Sequence, residues 1–188
     1  MSRWLSLPLL AACSLTPTDA TPSTYASFER VIATADACVD PNLFLWAGQR
    51  GDRQNVTLYL TDGLAEDACA AAGTITRTYA WNDPGLDLEL LLGRRLSINY
   101  CTDGIRSGRR VDATATPTSG SVTVTFTPDA DATDLSPTGD AQVTIEGVTW
   151  RWASGATVTQ AEPWTFSANV DMAYPVWDTS GAAVSCLP

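Results

Sequence analysis

The sequence predicts an all-β fold, an antiparallel β-sandwich or partly closed barrel with one short helix. Three observations predict it. From Tyr25 onward, apolar and polar residues alternate with a period of two. The alternating runs are short and recur between Gly, Pro, Asn and Asp turns. Only Leu64 to Ala72 reads as helical, and no repeat of solenoid or propeller length interrupts the pattern.

Each element has its own signal. Phe28 to Ala33 (FERVIA) is the expected first strand, and Leu43 to Ala47 is an apolar run ended by Gly48. Val56, Leu58 and Leu60 alternate with Thr57, Tyr59 and Thr61 before the Asp62-Gly63 turn. Leu64 to Ala72 is a helix of one or two turns, with Gly73 where a C-terminal stop belongs. Ile75 to Trp81 alternates again and ends at Asn82-Asp83-Pro84-Gly85, a strong turn signal. Leu86, Leu88, Leu90 and Leu92 share one strand face, with Asp87, Glu89 and Leu91 opposite. Gly93-Arg94-Arg95 breaks that run, and Leu96, Ile98 and Tyr100 resume it up to Cys101. Val111 to Thr116 and Ser121 to Thr127 flank Pro117-Thr118-Ser119-Gly120, which predicts a hairpin. Strands around Ala141 to Ile145, Val148 to Trp152, Thr157 to Gln160 and Trp164 to Val170 complete the series.

The N-terminus carries an address. Met1-Ser2-Arg3 is a basic start, and Trp4 to Ala12 is an apolar stretch. That stretch is far short of the roughly 20 apolar residues that a membrane-spanning helix needs. It has the layout of a secretory signal. Leu10-Ala11-Ala12-Cys13 resembles the lipobox of bacterial lipoproteins. The resemblance implies removal of residues 1–12 and lipidation, including palmitate, at Cys13. Ser14 after the cysteine, in place of Asp, implies the outer membrane. Residues 14–24 are rich in Ser, Thr and Pro and read as a solvated tether. The expected organisation is therefore a signal peptide over 1–12, lipidated cysteine and tether over 13–24, and a single β domain over 25–188. Ala113 to Trp152 also resembles a strand–loop–strand pattern in uncharacterised predicted lipoproteins of GC-rich diderm bacteria, which supports lipidation and β architecture without adding an activity.

With Cys13 assigned to lipid, Cys38, Cys69, Cys101 and Cys186 remain. An even number in an exported chain reads as two disulfides. Of three connectivities, Cys38–Cys69 with Cys101–Cys186 is preferred, because Cys186 would then tie down the C-terminus.

Composition excludes several chemistries. The chain has 188 residues, 45% of them hydrophobic, enough for a sizeable core. Eleven basic residues against 21 acidic ones give a net charge of -10, which argues against a nucleic-acid partner. There is no histidine, and every basic residue is arginine. His-based triads, His metal sites, Schiff-base lysines and P-loop lysines are all excluded. No cofactor is expected.

Four constellations remain as candidate sites. The first is the acidic loop. Asp129, Asp131 and Asp140 offer the alternating carboxylates that calcium takes, but Asp134 stands where an EF-hand loop needs glycine, and a solvated loop is the better reading. The second is aromatic. Trp150 and Trp152 share one strand face and read as core, whereas Trp164 and Trp177 lie near Pro163 and Pro175 and would form an exposed platform for a sugar ring. The third is Asp87 with Glu89, two residues apart on one face, the arrangement a carboxylate-based hydrolase requires. The fourth is the cluster Arg94, Arg95, Arg106, Arg109 and Arg110, with Arg94 and Arg95 as candidate contacts for an anionic partner.

The reading that follows is a non-catalytic, membrane-anchored envelope lipoprotein acting as a binding or structural module. Its expected partners are the membrane, through its lipid, and an envelope protein or glycan. A carbohydrate-binding module with a Trp platform is the alternative, and an envelope hydrolase the third reading.

Overall fold

Period-two alternation produces nine strands in the computed structural model, which describes residues 34–40, 42–48, 52–102, 106–133 and 136–173. They are β1 (Thr34–Asp40), β2 (Asn42–Gly48), β3 (Gln54–Leu60), β4 (Ile75–Ala80), β5 (Leu86–Arg94), β6 (Arg110–Pro128), β7 (Gly139–Trp152), β8 (Thr157–Thr159) and β9 (Trp164–Ala173). One helix, α1 (Leu64–Ala70), lies between β3 and β4. The fold is all-β, as the alternation predicts.

All nine strands belong to one sheet, in the order β4-β6-β5-β3-β2-β1-β9-β7-β8. A further β6–β7 pairing closes seven of them, β1, β2, β3, β5, β6, β7 and β9, into a ring. Every pairing is antiparallel except β1 with β9, where Ala37 lies opposite Val170. That parallel contact departs from the all-antiparallel expectation, and it is one of the links that close the ring.

The inward faces fill the ring. Leu43, Leu45 and Ala47 of β2, Val56, Leu58 and Leu60 of β3, and Leu86, Leu88, Leu90 and Leu92 of β5 are buried. So are Val122, Val124 and Phe126 of β6, and Trp150 and Trp152 of β7. Each fully buried side chain of this size contributes about 1.5–3 kcal/mol relative to exposure. Alanines 37, 47, 115, 141 and 168 are buried in the same cluster, leaving room for the three indoles of Trp150, Trp152 and Trp164.

Three local expectations are corrected. Leu96 to Tyr100 does not continue β5 as a strand. It turns, with Ile98 N donating to Arg95 O (3.4 Å) and Tyr100 N to Ser97 O (2.9 Å). Arg95 and Cys101 bracket the turn in left-handed backbone, at φ 50° and 48°. Pro117 to Gly120 does not form a hairpin either. It lies inside β6, a continuous strand of 19 residues that bulges at these positions. Side chains replace ladder bonds there: Thr118 Oγ1 donates to Thr149 O (3.1 Å), and Thr149 N donates to Ser119 Oγ (3.2 Å). Gly120, at φ 100°, passes so close to β7 that a Cβ would overlap Glu146 O and Val148. Gly73 is not the left-handed residue ending α1; Ala72 is, at φ 52°. Finally, the first described strand is Thr34–Asp40. The expected strand over residues 28–33 lies outside the described residues.

The outer face of β4, β6, β7 and β9 is polar. Thr74–Thr127, Thr76–Thr125 and Thr78–Thr123 are paired by hydroxyl hydrogen bonds of 2.9, 2.8 and 2.9 Å. Such cross-strand pairs each contribute roughly 0.2–1 kcal/mol.

Helix α1 is tied to β4 by Arg77. Its guanidinium donates to Asp62 Oδ2 (2.8 Å) and Asp62 O (3.0 Å), and it pairs with Asp67 of α1. Burial pulls its pKa down, but the hydrogen bonds it donates to both carboxylates outweigh that and raise it. Tyr79 Oη also donates to Asp62 (3.0 Å), and burial, then Asp62, raises the phenol's pKa.

Candidate functional site

The outward faces of β2, β3 and β5 are set by the same alternation that buries their leucines. Register aligns them in rows. Phe44 of β2 lies opposite Tyr59 of β3, which lies opposite Asp87 of β5. In the next row, Trp46 lies opposite Thr57, which lies opposite Glu89. Three aromatic side chains in two rows thus run laterally into two carboxylates.

Residues 95–102 cross this face as a strap. Leu96 is its plug, fully buried. Asp52, itself at φ 55°, holds the strap by accepting from Ser97 N at both carboxylate oxygens (3.0 and 2.9 Å). Asn55 Nδ2 donates to the same carboxylate (2.9 Å). The far end is fixed covalently by a Cys38–Cys101 disulfide, with 5.7 Å between the Cα atoms. Cys38 faces Phe44 in the β1–β2 register, so the bridge lands on the same outer face. It is not the preferred Cys38–Cys69 connectivity, because the strap carries Cys101 back over β1 and β2. Cys69, buried on α1, is disulfide-bonded as well. Cys13 and Cys186 lie outside the described residues.

The strap lays Tyr100 over the aromatics. Its ring meets Phe44 edge-on, with centroids 5.0 Å apart, and Trp46 at 5.7 Å. Arg109 closes one side, its guanidinium 5.3 Å from the centre of the Tyr100 ring and its Nε donating to Leu96 O (3.0 Å). Between strap and sheet lies a groove of about 180 Å³, lined by Phe44, Thr57, Tyr59, Asp87, Glu89, Leu91, Tyr100 and Arg109.

The groove's polar groups are unevenly satisfied. Tyr59 Oη accepts from Asn42 Nδ2 (2.9 Å), and Tyr100 Oη accepts from Arg109 (3.4 Å), so neither phenol donates its proton to a described residue. Burial raises the Tyr100 pKa, against the pull of Arg109. Burial also raises the pKa of Glu89, and Asp87 adds to the rise while Arg109 opposes it.

The sequence candidates meet this geometry unequally. Asp87 and Glu89 line the groove. Of the arginine cluster only Arg109 joins them; Arg110 pairs with Asp112, and Arg94 and Arg95 are exposed outside the groove. Trp164 is not an exposed platform. Its strand places it inward with Phe166, Ala168 and Val170, where it is 4% exposed and stacks on Trp150 at 5.9 Å. Pro163 marks the start of a strand, not a surface loop. Trp177 lies outside the described residues. Among the described residues, Asp129, Asp131 and Asp140 do not gather into a group that could hold a metal ion. Asp140 belongs to β7, opposite Thr127, and accepts from Asn169 Nδ2 (3.0 Å). Among the described residues, no group of three or more Cys, Asp or Glu side chains could hold a metal ion.

Phe44, Tyr59 and Tyr100 are lining residues that sequence reasoning did not single out. Tyr59 carried a signal, since it alternates with Leu58 and Leu60 and must point outward. Nothing local announces that Tyr100 and Arg109 return to the same face. Among the described residues, no helix is long and apolar enough to cross a membrane. No family model, no curated protein and no solved structure matches the chain.

Proposed function

We propose that the chain is a non-catalytic binding module of the cell envelope, held by lipid at Cys13, whose groove recognises one sugar unit of an envelope glycan. The observation that carries this reading is the groove itself, where Tyr59 and Tyr100 flank Asp87, Glu89 and Arg109. Aromatic faces stack on the C–H face of a sugar ring, while charged and phenolic groups take its hydroxyls. At about 180 Å³ the groove is smaller than a drug-sized site and accepts one ring. The lipobox at Leu10 to Cys13 and the tether after it supply the anchor, and a disulfide accords with export. Cys186 is the proposed partner of Cys69, which leaves Cys13 for the lipid.

A hydrolase using Asp87 and Glu89 is the second reading. It is favoured by the raised pKa of Glu89 beside a second carboxylate, a pairing that suits a general acid.

Retention of envelope glycan fragments by the immobilised protein tests both. Wild type should retain them without altering them, and Tyr100→Ala should weaken retention about tenfold or more, the equivalent of one lost stacking contact. Equal retention by Tyr100→Ala would contradict the groove reading. Cleavage of the fragments that disappears in Glu89→Gln would replace binding with hydrolysis.

A further inference from the structure

The groove holds two carboxylates against one guanidinium, in a chain of net charge -10. Arg109 is committed to Leu96 O and the Tyr100 ring. The ion pairs of the described residues are Arg77 with Asp62, Arg77 with Asp67, and Arg110 with Asp112. Neither Asp87 nor Glu89 takes part in one, and neither accepts a hydrogen bond from a described residue. A neutral ligand covering the groove would strip water from two like charges and leave them uncompensated, which is costly. A cation would compensate them, and the aromatic walls favour it further.

We infer, on the reading of the groove as a sugar site, that its ligand is a sugar unit carrying a free ammonium group, an unacetylated amino sugar. Residues two apart on a strand face have Cα atoms about 6.7 Å apart, close enough for both side chains to turn their carboxylates toward one ammonium with three N–H donors. The ammonium lies between Asp87 and Glu89, and the phenol protons of Tyr59 and Tyr100 are left for the sugar oxygens. A lysine or arginine side chain from a protein partner would fit the carboxylates but offers the phenols no acceptor. The negative field of the chain also draws cations toward the groove, an effect that salt screens.

The test is calorimetric titration of the purified chain with a glucosamine tetramer, its fully N-acetylated counterpart, and a tetralysine peptide. The glucosamine tetramer should bind at least about tenfold tighter than either of the others. Its advantage should shrink at high salt and vanish in an Asp87→Asn, Glu89→Gln double variant. Arg109→Gln, which removes the groove's own cation, should tighten glucosamine binding; weaker binding would contradict the charge argument even if the double variant failed to fold. Equal affinity for the acetylated tetramer would overturn this inference and leave the sugar site standing. Tetralysine binding as tightly as glucosamine would overturn it in favour of a basic peptide. Failure of both sugars to bind would overturn the inference and the sugar site together.

Discussion

Glu89 is the residue on which most of the site's chemistry converges. Burial and the neighbouring Asp87 raise its pKa above the ordinary 4.5, while Arg109 holds it back. The folded state therefore grips the proton more tightly than the unfolded chain does. Stability from this group is fully present below about pH 4.5 and is lost as pH rises through the raised folded value. At neutral pH the ionised Glu89 is a destabilising group retained on the groove wall. Glu89→Gln should therefore unfold at a higher temperature than wild type at pH 7, with the gap closing in acid. Thermal unfolding at the two pH values checks this; a Gln variant less stable at pH 7 would mean that the carboxylate is compensated in the folded state.

At the scale of elements, the C-terminus of α1 shows how a turn is built from an unsuited residue. Ala72 N donates to Cys69 O (2.9 Å) and Gly73 N to Ala68 O (3.1 Å), the paired bonds of a Schellman motif. The motif puts Ala72 in left-handed backbone while the glycine stands one position later. Ala72 is exposed, so Ala72→Gly relieves the strain without opening a cavity, and should stabilise the protein by about 1 kcal/mol. Denaturant unfolding measures it, and a loss of stability would contradict the assigned backbone strain. The same gap between pattern and outcome explains what was legible in the sequence. β3 and β5 were readable because their leucines alternate and one face is buried. β1 was not, since TADACVD is poor in β-branched and aromatic residues and is paired on both sides by tertiary structure. Leu96 to Tyr100 alternates like a strand, yet Asp52 binds its backbone and bends it into a strap. Pro117 to Gly120 has turn chemistry, yet β7 and the side chains of Thr118 and Ser119 hold it extended. Local preference yielded wherever a partner from a distant part of the chain supplied the missing hydrogen bonds.

At the scale of the whole molecule, ring closure decides where a ligand can go. The inside is filled by leucines and by the indoles of Trp150, Trp152 and Trp164, so these aromatics serve packing. On the proposed binding role a ligand meets the outer faces, and two of them differ in kind. The face of β4, β6, β7 and β9 is polar, with threonine hydroxyls paired between β4 and β6. The face of β2, β3 and β5 is roofed by the strap and contains Asp87 and Glu89, which form no ion pair among the described residues. Asp87 and Glu89 were legible as outward neighbours on one strand. Their aromatic company was not, because it depends on cross-strand register and on the Cys38–Cys101 bridge. The central claim is that the ligand enters this roofed groove. Backbone amide NMR of the chain titrated with the glucosamine tetramer tests it most directly. Shifts should be confined to Tyr59, Asp87, Glu89, Tyr100, Arg109 and their immediate neighbours. Shifts at Thr76, Thr125, Gln142 and Ser167, with the groove unchanged, would contradict it.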